Sequence, residues 1–289
     1  MVTVISFINM KGGVGKTTIV TAISEYMSSY YGRRTLLIDI DPQTNATISF
    51  ISEDDWKERN DKNLTINAIF EDYVHKTSFS SLGNIVVKSV NKKRDSLETL
   101  DLLPSSPSLS VTQEYLYKFQ DKWEGRAFGP DEVLIRSIGR FIKNYGYVFI
   151  DCPPNIGVLV RNALKLSDFY IIPVIPDWLS TYGITELISQ INNTYEIQVH
   201  PLGIVLSKYS RAKTTHNRYL KILSAKSSDG TYPYLFKTII PERAGMERMP
   251  GLRPSEKGYT GRQLTSGGEV ENAIEKLANE IENRIQEIK

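Results

Sequence analysis

Short apolar runs alternate with longer amphipathic stretches along most of the chain. Residues 2–8, 35–39, 147–151, 169–175, 202–207 and 234–240 read as strands. Several are apolar at consecutive positions, the pattern of strands covered on both faces. Between them, 17–31, 131–144, 159–166, 181–195, 214–224 and 270–288 carry apolar residues at helical spacing. This alternation predicts an α/β fold, a doubly wound and mostly parallel sheet with helices on both faces. Residues 85–89 and 99–103 flank a polar run at 91–95 and read as a hairpin.

Two stretches read as excursions from that core. Residues 52–63 are highly charged and fit a surface loop or short exposed helix, and 241–268 are rich in Gly, Pro and charge and fit a long loop. With no internal repeat and no low-complexity tract, a single domain over 1–289 is the simplest account. In the last helix Val270, Ala273, Ile274, Leu277, Ile281, Ile285 and Ile288 share one face. The other face carries six glutamates against Lys276, Arg284 and Lys289. A membrane-surface helix is basic, so this one is expected to pack against the sheet.

Composition narrows the picture. The chain has 289 residues, 40% hydrophobic and 24% charged, and reads as an ordinary globular protein. It has no run of eighteen apolar residues and no signal-peptide pattern, so a cytoplasmic protein without a membrane partner is expected. The single cysteine, Cys152, excludes a disulfide framework and a cysteine-rich metal site, and nothing beside it serves as a base. His75, His200 and His216 share no metal-ligand spacing. The net charge of +2 conceals a basic region: residues 208–262 hold twelve Lys and Arg against four acidic residues. That region is either a polyanion-facing surface or a set of lysines and arginines scattered around the fold.

The chemistry starts at Lys11-Gly12-Gly13-Val14-Gly15-Lys16-Thr17-Thr18, between the first strand and the first helix. Strand, glycine turn and helix opened by Lys-Thr is the context of a phosphate-binding loop. Glycines let several N–H groups converge, and the helix N-terminus adds partial positive charge. Lys16 then meets the β- and γ-phosphates, and Thr17 offers a hydroxyl to Mg²⁺. Asp39 and Asp41 end the second strand, and Asp151 ends a later apolar strand before Cys152-Pro153-Pro154. Carboxylates at the C-terminal ends of parallel strands fall beside such a loop, and an Asp there holds the Mg²⁺ water shell.

One departure from the general loop pattern is informative: Met10 stands where a glycine is usual, and Lys11 precedes the glycine pair. This resembles the deviant P-loop of the ParA/MinD family of dimeric ATPases. The likeness extends to Asp39–Thr47 (D-x-D-P-Q-x-N-A-T), Leu102-Leu103-Pro104-Ser105, Asp151–Pro154 and Lys237–Pro241 (K-x-x-I-P). The resemblance implies ATP and Mg²⁺ as cofactors and a homodimer formed with ATP, in which Lys11 reaches the other subunit's nucleotide. It implies that Asp41 orients the attacking water and Asp39 supports the Mg²⁺ shell. Asn45, Thr47 and residues 155–158 become nucleotide-sensing switches, and Pro241 and Glu242 become adenine contacts. The chain departs after Pro241, where Glu242-Arg243 replaces the family's Arg-Asn.

Within the family the best match is a ParA/Soj-type partition ATPase. It would bind non-specific DNA at the nucleoid, hydrolyse ATP slowly, and be stimulated by a ParB-like adaptor. Lys208, Arg211, Lys213, Arg218 and Lys221, backed by Arg243, Arg248 and Arg253, are the DNA candidates. Alternatives are a MinD-like membrane-cycling ATPase, opposed by the acidic last helix, and an ATP-dependent synthetase of the same superfamily, usually without Lys11.

Overall fold

The computed structural model describes residues 2–77, 81–90, 99–118, 127–193, 197–242 and 269–289. Seven parallel strands form one sheet: β1 Thr3–Phe7, β2 Thr35–Asp39, β3 Leu100–Leu103, β4 Tyr147–Asp151, β5 Phe169–Val174, β6 His200–Tyr209 and β7 Leu235–Pro241, in the order β3-β2-β4-β1-β5-β6-β7. The chain moves outward from β1 to β2 and β3, then returns through β4 and leaves on the other side. The resulting switch in strand order beside β1 opens a crevice at the C-terminal strand ends, the usual ligand position in such sheets.

Alternate strand residues feed two apolar layers. Val4, Leu36, Ile38, Val148, Ile150, Ile172 and Val174 meet one layer, which includes Leu159 and Leu164 of α8 (Val158–Leu166) and Ile184 and Leu187 of α9 (Trp178–Asn192). Ile5, Phe7, Leu37, Phe149 and Ile171 meet the other, built by α1 (Lys16–Tyr30) and the final helix α11 (Glu269–Ile288). Ala273, Ile274, Leu277, Ile281 and Ile285 are buried there, so α11 packs on the sheet as its pattern predicts. Its Glu280 accepts hydrogen bonds from Lys237 N (2.7 Å) and Thr238 N (3.0 Å) of the edge strand β7. Backbone donors that would invite another strand are thereby satisfied.

Three expectations change. Residues 85–89 are not a strand: Leu82–Ile85 is a single helical turn, α5, and only Val87 then bridges Leu102 antiparallel. Residues 131–144 are not one helix. Pro130–Glu132 and Phe141–Asn144 are 3₁₀ turns around the short α7, Val133–Ile138. Asn162 of α8 reaches into that junction, accepting from Leu134 N (2.9 Å) and donating to Pro130 O (2.7 Å). Helices that the strand-and-helix reading passed over also occur: α2 Asn45–Ile48, α4 Ile66–His75 and α6 Leu109–Lys118. The charged run near 52–63 contains α3, Glu53–Asp61, capped by Ser52 through Asp55 N. The turn at 91–95 and most of the loop at 241–268 lie outside the described residues, as do Arg243, Arg248 and Arg253.

Candidate nucleotide site

The loop after β1 is held open by its own backbone. Gly13 and Gly15 have φ of 74° and 83°, a region that side chains disfavour. A Cβ added at Gly12 or Gly13 would meet nothing within 4 Å, so the space over the loop is clear. Gly15 caps α1 without a side chain, leaving the first N–H groups of the helix available to an anion. Two polar side chains fix the loop from outside it. Asn9 donates through Nδ2 to Pro173 O (2.6 Å) and accepts at Oδ1 from Lys11 N (2.8 Å). Ser207 of β6 donates through Oγ to Val14 O (2.6 Å).

Above the loop lies a cavity of about 460 Å³, lined by Gly12, Gly13, Gly15, Thr17, Asp41 and Glu242 among others. That volume suits a bound nucleotide-sized ligand. Lys16 is 7% exposed, and its Nζ donates to Asn9 O (3.3 Å) and Lys11 O (3.4 Å). Burial lowers its pKa, against the opposing charges of Asp151 and Asp41. An ammonium whose bonds among the described residues are two long carbonyl contacts is ready for a stronger anionic acceptor.

Parallel register places Asp39 directly beside Asp151. Asp39 is fully buried and committed: Oδ2 accepts from Thr47 N (2.8 Å) and Thr47 Oγ1 (2.7 Å), and Oδ1 from Asp41 N (3.1 Å). Burial, with Asp41 adding to it and the Thr47 bonds opposing it, pushes its pKa up to about 7. Its geometry is that of an anchor for the turn carrying Asp41, not of a group facing the cavity. Asp41 lines the cavity, and burial raises its pKa too. Asp151 differs from both: it is fully buried beside Thr17, and among the described residues neither of its oxygens accepts a bond of normal hydrogen-bond geometry. Burial and the charge of Asp39 push its pKa well up, while Thr17 and Lys16 offset part of the rise.

A buried carboxylate beside the Thr17 hydroxyl, next to a phosphate-type loop, fits a hydrated divalent cation. Among the described residues no group of three or more His, Cys, Asp and Glu could enclose a metal alone. That suits Mg²⁺, which keeps waters and takes phosphate oxygens rather than an all-protein cage.

A family model described as an AAA domain matches residues 2–203. Two relatives are similar over most of the chain. The sporulation initiation inhibitor protein Soj of Bacillus subtilis is 27% identical, covering 86% of this chain and 87% of that protein. The chromosome partitioning protein ParA of Caulobacter vibrioides is also 27% identical, covering 86% and 84%. The chain belongs to the ParA/MinD-type P-loop ATPases. Solved structures agree on the fold. A protein from Borrelia burgdorferi, described as a plasmid partition protein bound to AMPPNP, superposes with a TM-score of 0.68 at 21% identity, covering 99% of each chain. Cobyrinic acid a,c-diamide synthase from Mycobacterium smegmatis, with an ATP analogue and magnesium, superposes at 0.62 and 25% identity, covering 86% and 92%.

In this ParA/MinD-type ATPase the two loop lysines part company. Lys16 lies under the cavity, whereas Lys11 turns away to the start of α9, with Nζ 2.6 Å from Asp177 Oδ2. Of the adenine candidates, Glu242 lines the cavity and Pro241 lines a neighbouring one of about 850 Å³. The DNA candidates divide as well. Arg211, Arg218 and Lys221 are exposed on or beside α10 (Thr214–Ser228). Lys213 pairs with Glu242 at 2.7 Å. Lys208, at φ 49°, lines the nucleotide cavity. Sequence reasoning passed over Asn9, Ser207 and Asp177. Only Asn9, a polar residue closing an apolar strand next to the loop, gave a local signal.

Proposed function

We propose that this protein is an ATPase that dimerises with ATP, coats non-specific DNA in that state, and positions DNA or another cargo with an adaptor that stimulates hydrolysis. ATP and Mg²⁺ are its cofactors, and the nucleoid within the cytoplasm is its place of action. The observation that carries the reading is the division of labour between the two lysines. Lys16 serves its own cavity, while the Lys11 ammonium stands outside that cavity and, among the described residues, bonds Asp177 and Ser180. A cation so placed is suited to the phosphates of a nucleotide in a second subunit. Fold likeness alone does not choose between a partition ATPase and a synthase, since one scaffold hosts both.

Phosphoryl transfer to water asks the protein chiefly for positioning and charge neutralisation. The N–H groups of residues 12–17 and the Lys16 ammonium bind the β- and γ-phosphates. Thr17 and Asp151 would hold Mg²⁺, which neutralises phosphate charge when bound. Asp41 lines the same cavity and orients a water there. Asp39 and Thr47 tie that carboxylate's turn to the sheet, and Ser105 Oγ donates to Asp41 O at 2.7 Å. Arg211, Arg218 and Lys221 supply sequence-independent phosphate contacts, with Lys213 adjoining them.

Binding to non-specific duplex DNA across a salt series, with ATP, ADP or no nucleotide, tests the reading. ATP-dependent, salt-sensitive binding is expected. Its absence in every nucleotide state would remove DNA from the account.

A further inference from the structure

Helix α8 begins without a cap of its own. Its N-cap is Gly157, which offers no side-chain acceptor to the first N–H groups of the helix. The acceptor comes from another element instead. Val158 N donates to the Tyr117 hydroxyl of α6 at 3.2 Å, across 41 residues of sequence. Gly157 N donates to Asn155 Oδ1 at 2.9 Å. The glycine is required by that close approach and not by its backbone, since its φ of −86° suits any residue. A Cβ at 157 would stand 2.5 Å from the Tyr117 hydroxyl and 2.8 Å from Asn155 Oδ1. A serine or aspartate there could cap α8 locally, but only by displacing Tyr117. Glycine and tyrosine therefore work as one contact.

The contact lies beside the chemistry. Residues 154–158 run from the strand end at Asp151 into α8, and Pro154 lines the nucleotide cavity. The helix that carries Tyr117 also reaches the turn carrying Asp41. Just before α6, Ser105 donates through Oγ to Asp41 O (2.7 Å) and through N to Thr47 Oγ1 (2.8 Å). α6 itself is anchored by the buried Leu109, Thr112 and Leu116, with Thr112 Oγ1 donating to Asn67 Oδ1 at 2.7 Å. One fixed element thus holds the turn of Asp41 at its start and the segment after Asp151 at its end. The Tyr117 ring is 41% exposed, so its hydroxyl, more than its packing, ties it to α8.

We infer, on the ATPase reading above, that Tyr117 is a positioning residue for ATP hydrolysis: its hydroxyl, seated against Gly157, fixes residues 154–158 along one wall of the nucleotide cavity. Nucleotide affinity comes chiefly from the loop at 12–17 and from Lys16. Loosening the wall therefore disturbs the alignment of the reacting groups more than it disturbs binding.

Single-turnover hydrolysis at saturating ATP, beside equilibrium titration of a labelled nucleotide, tests this with Tyr117→Phe, Gly157→Ala and the double variant. Tyr117→Phe keeps the ring and removes the hydroxyl. Its hydrolysis rate should fall by about tenfold while nucleotide affinity stays within about threefold of the wild type, the pattern of lost alignment. Gly157→Ala should lose rate at least as far, because its methyl group crowds both the hydroxyl and Asn155. The double variant should be no slower than Gly157→Ala alone, since one contact can be lost only once. A Tyr117→Phe rate equal to that of the wild type would overturn the inference, as would losses that multiply in the double variant. A fall in affinity as large as the fall in rate would also overturn it, making Tyr117 a prop of the binding site. A wild type that does not hydrolyse ATP would overturn the ATPase reading and the inference together.

Discussion

Lys11 Nζ and Asp177 Oδ2 stand 2.6 Å apart although 166 residues separate them. Asp177 also caps α9, accepting from Ser180 N at 2.7 Å, so its carboxylate is fixed before Lys11 arrives. Among the described residues the Lys11 ammonium bonds Asp177 and Ser180 and none that lines its own cavity, and the proposed role in the opposite subunit makes a separable prediction. Lys11→Ala should leave nucleotide affinity of the monomer within a few-fold. ATP-driven dimerisation should fall, and turnover with it by roughly 10²–10³, the loss typical of removing one donor to developing charge. Steady-state hydrolysis beside equilibrium nucleotide binding separates the two. A parallel collapse of binding would place Lys11 in its own subunit's site.

Asp41 is expected to divide binding from chemistry in the opposite way. It lines the cavity, and its turn is pinned by Asp39 and Ser105, so removing its carboxylate should not open the loop. Asp41→Ala should retain ATP binding and the ATP dimer while hydrolysis falls by about 10²–10⁴, the usual range for a positioned acid–base group. Lys16→Ala should instead lose nucleotide binding outright. Titrations with ATP and a product-release assay distinguish the pair.

The strands and the loop were legible in the sequence because short-range pattern decides them. β2 and β4 fall at 35–39 and 147–151 as read, since each carries at least three consecutive apolar residues ended by an aspartate. α6 was not legible: only Leu109, Thr112 and Leu116 of its ten residues are buried, too sparse a stripe to announce a helix. α4 carried a clear period through Ile66, Ile69, Phe70 and Tyr73 and was passed over between two charged segments. The split at 130–144 depends on Asn162, a long-range amide that no local window contains. The same holds at the site. Asp41 and Asp151 announce themselves at strand ends, whereas Asp177 becomes a neighbour of Lys11 only once β5 lies beside β1.

The basic surface gives a salt-dependence prediction. Arg218 and Lys221 are three residues apart on α10 and exposed, so both can reach one phosphate backbone. If each neutralises one phosphate, Arg218→Gln/Lys221→Gln should lower the slope of log affinity against log salt by about two. Nucleotide binding should not change. Lys208→Gln should do the reverse, weakening nucleotide affinity with little effect on the slope, because Lys208 lines the nucleotide cavity. Filter binding across a salt series, paired with nucleotide titration, reads both.

Asp101 ties stability to pH. Its carboxylate, on β3, is 1% exposed and accepts from Tyr145 OH (2.7 Å), Lys88 Nζ (2.9 Å) and Ser89 N (3.0 Å). Burial alone would raise its pKa, but these bonds and the Lys88 charge outweigh burial and lower it below 3.8. The unfolded chain therefore takes up this proton at a higher pH than the folded chain. Stability from the charged group is complete above the ordinary carboxylate range and is lost as pH falls through the folded value. Asp101→Asn should cost about 1–3 kcal/mol at neutral pH, because it removes a charged acceptor from buried donors. The difference between variant and wild type should shrink as pH falls from about 5 towards 2. Denaturant midpoints measured across that range supply the check, and a gap independent of pH would mean that Asp101 acts by packing rather than by charge.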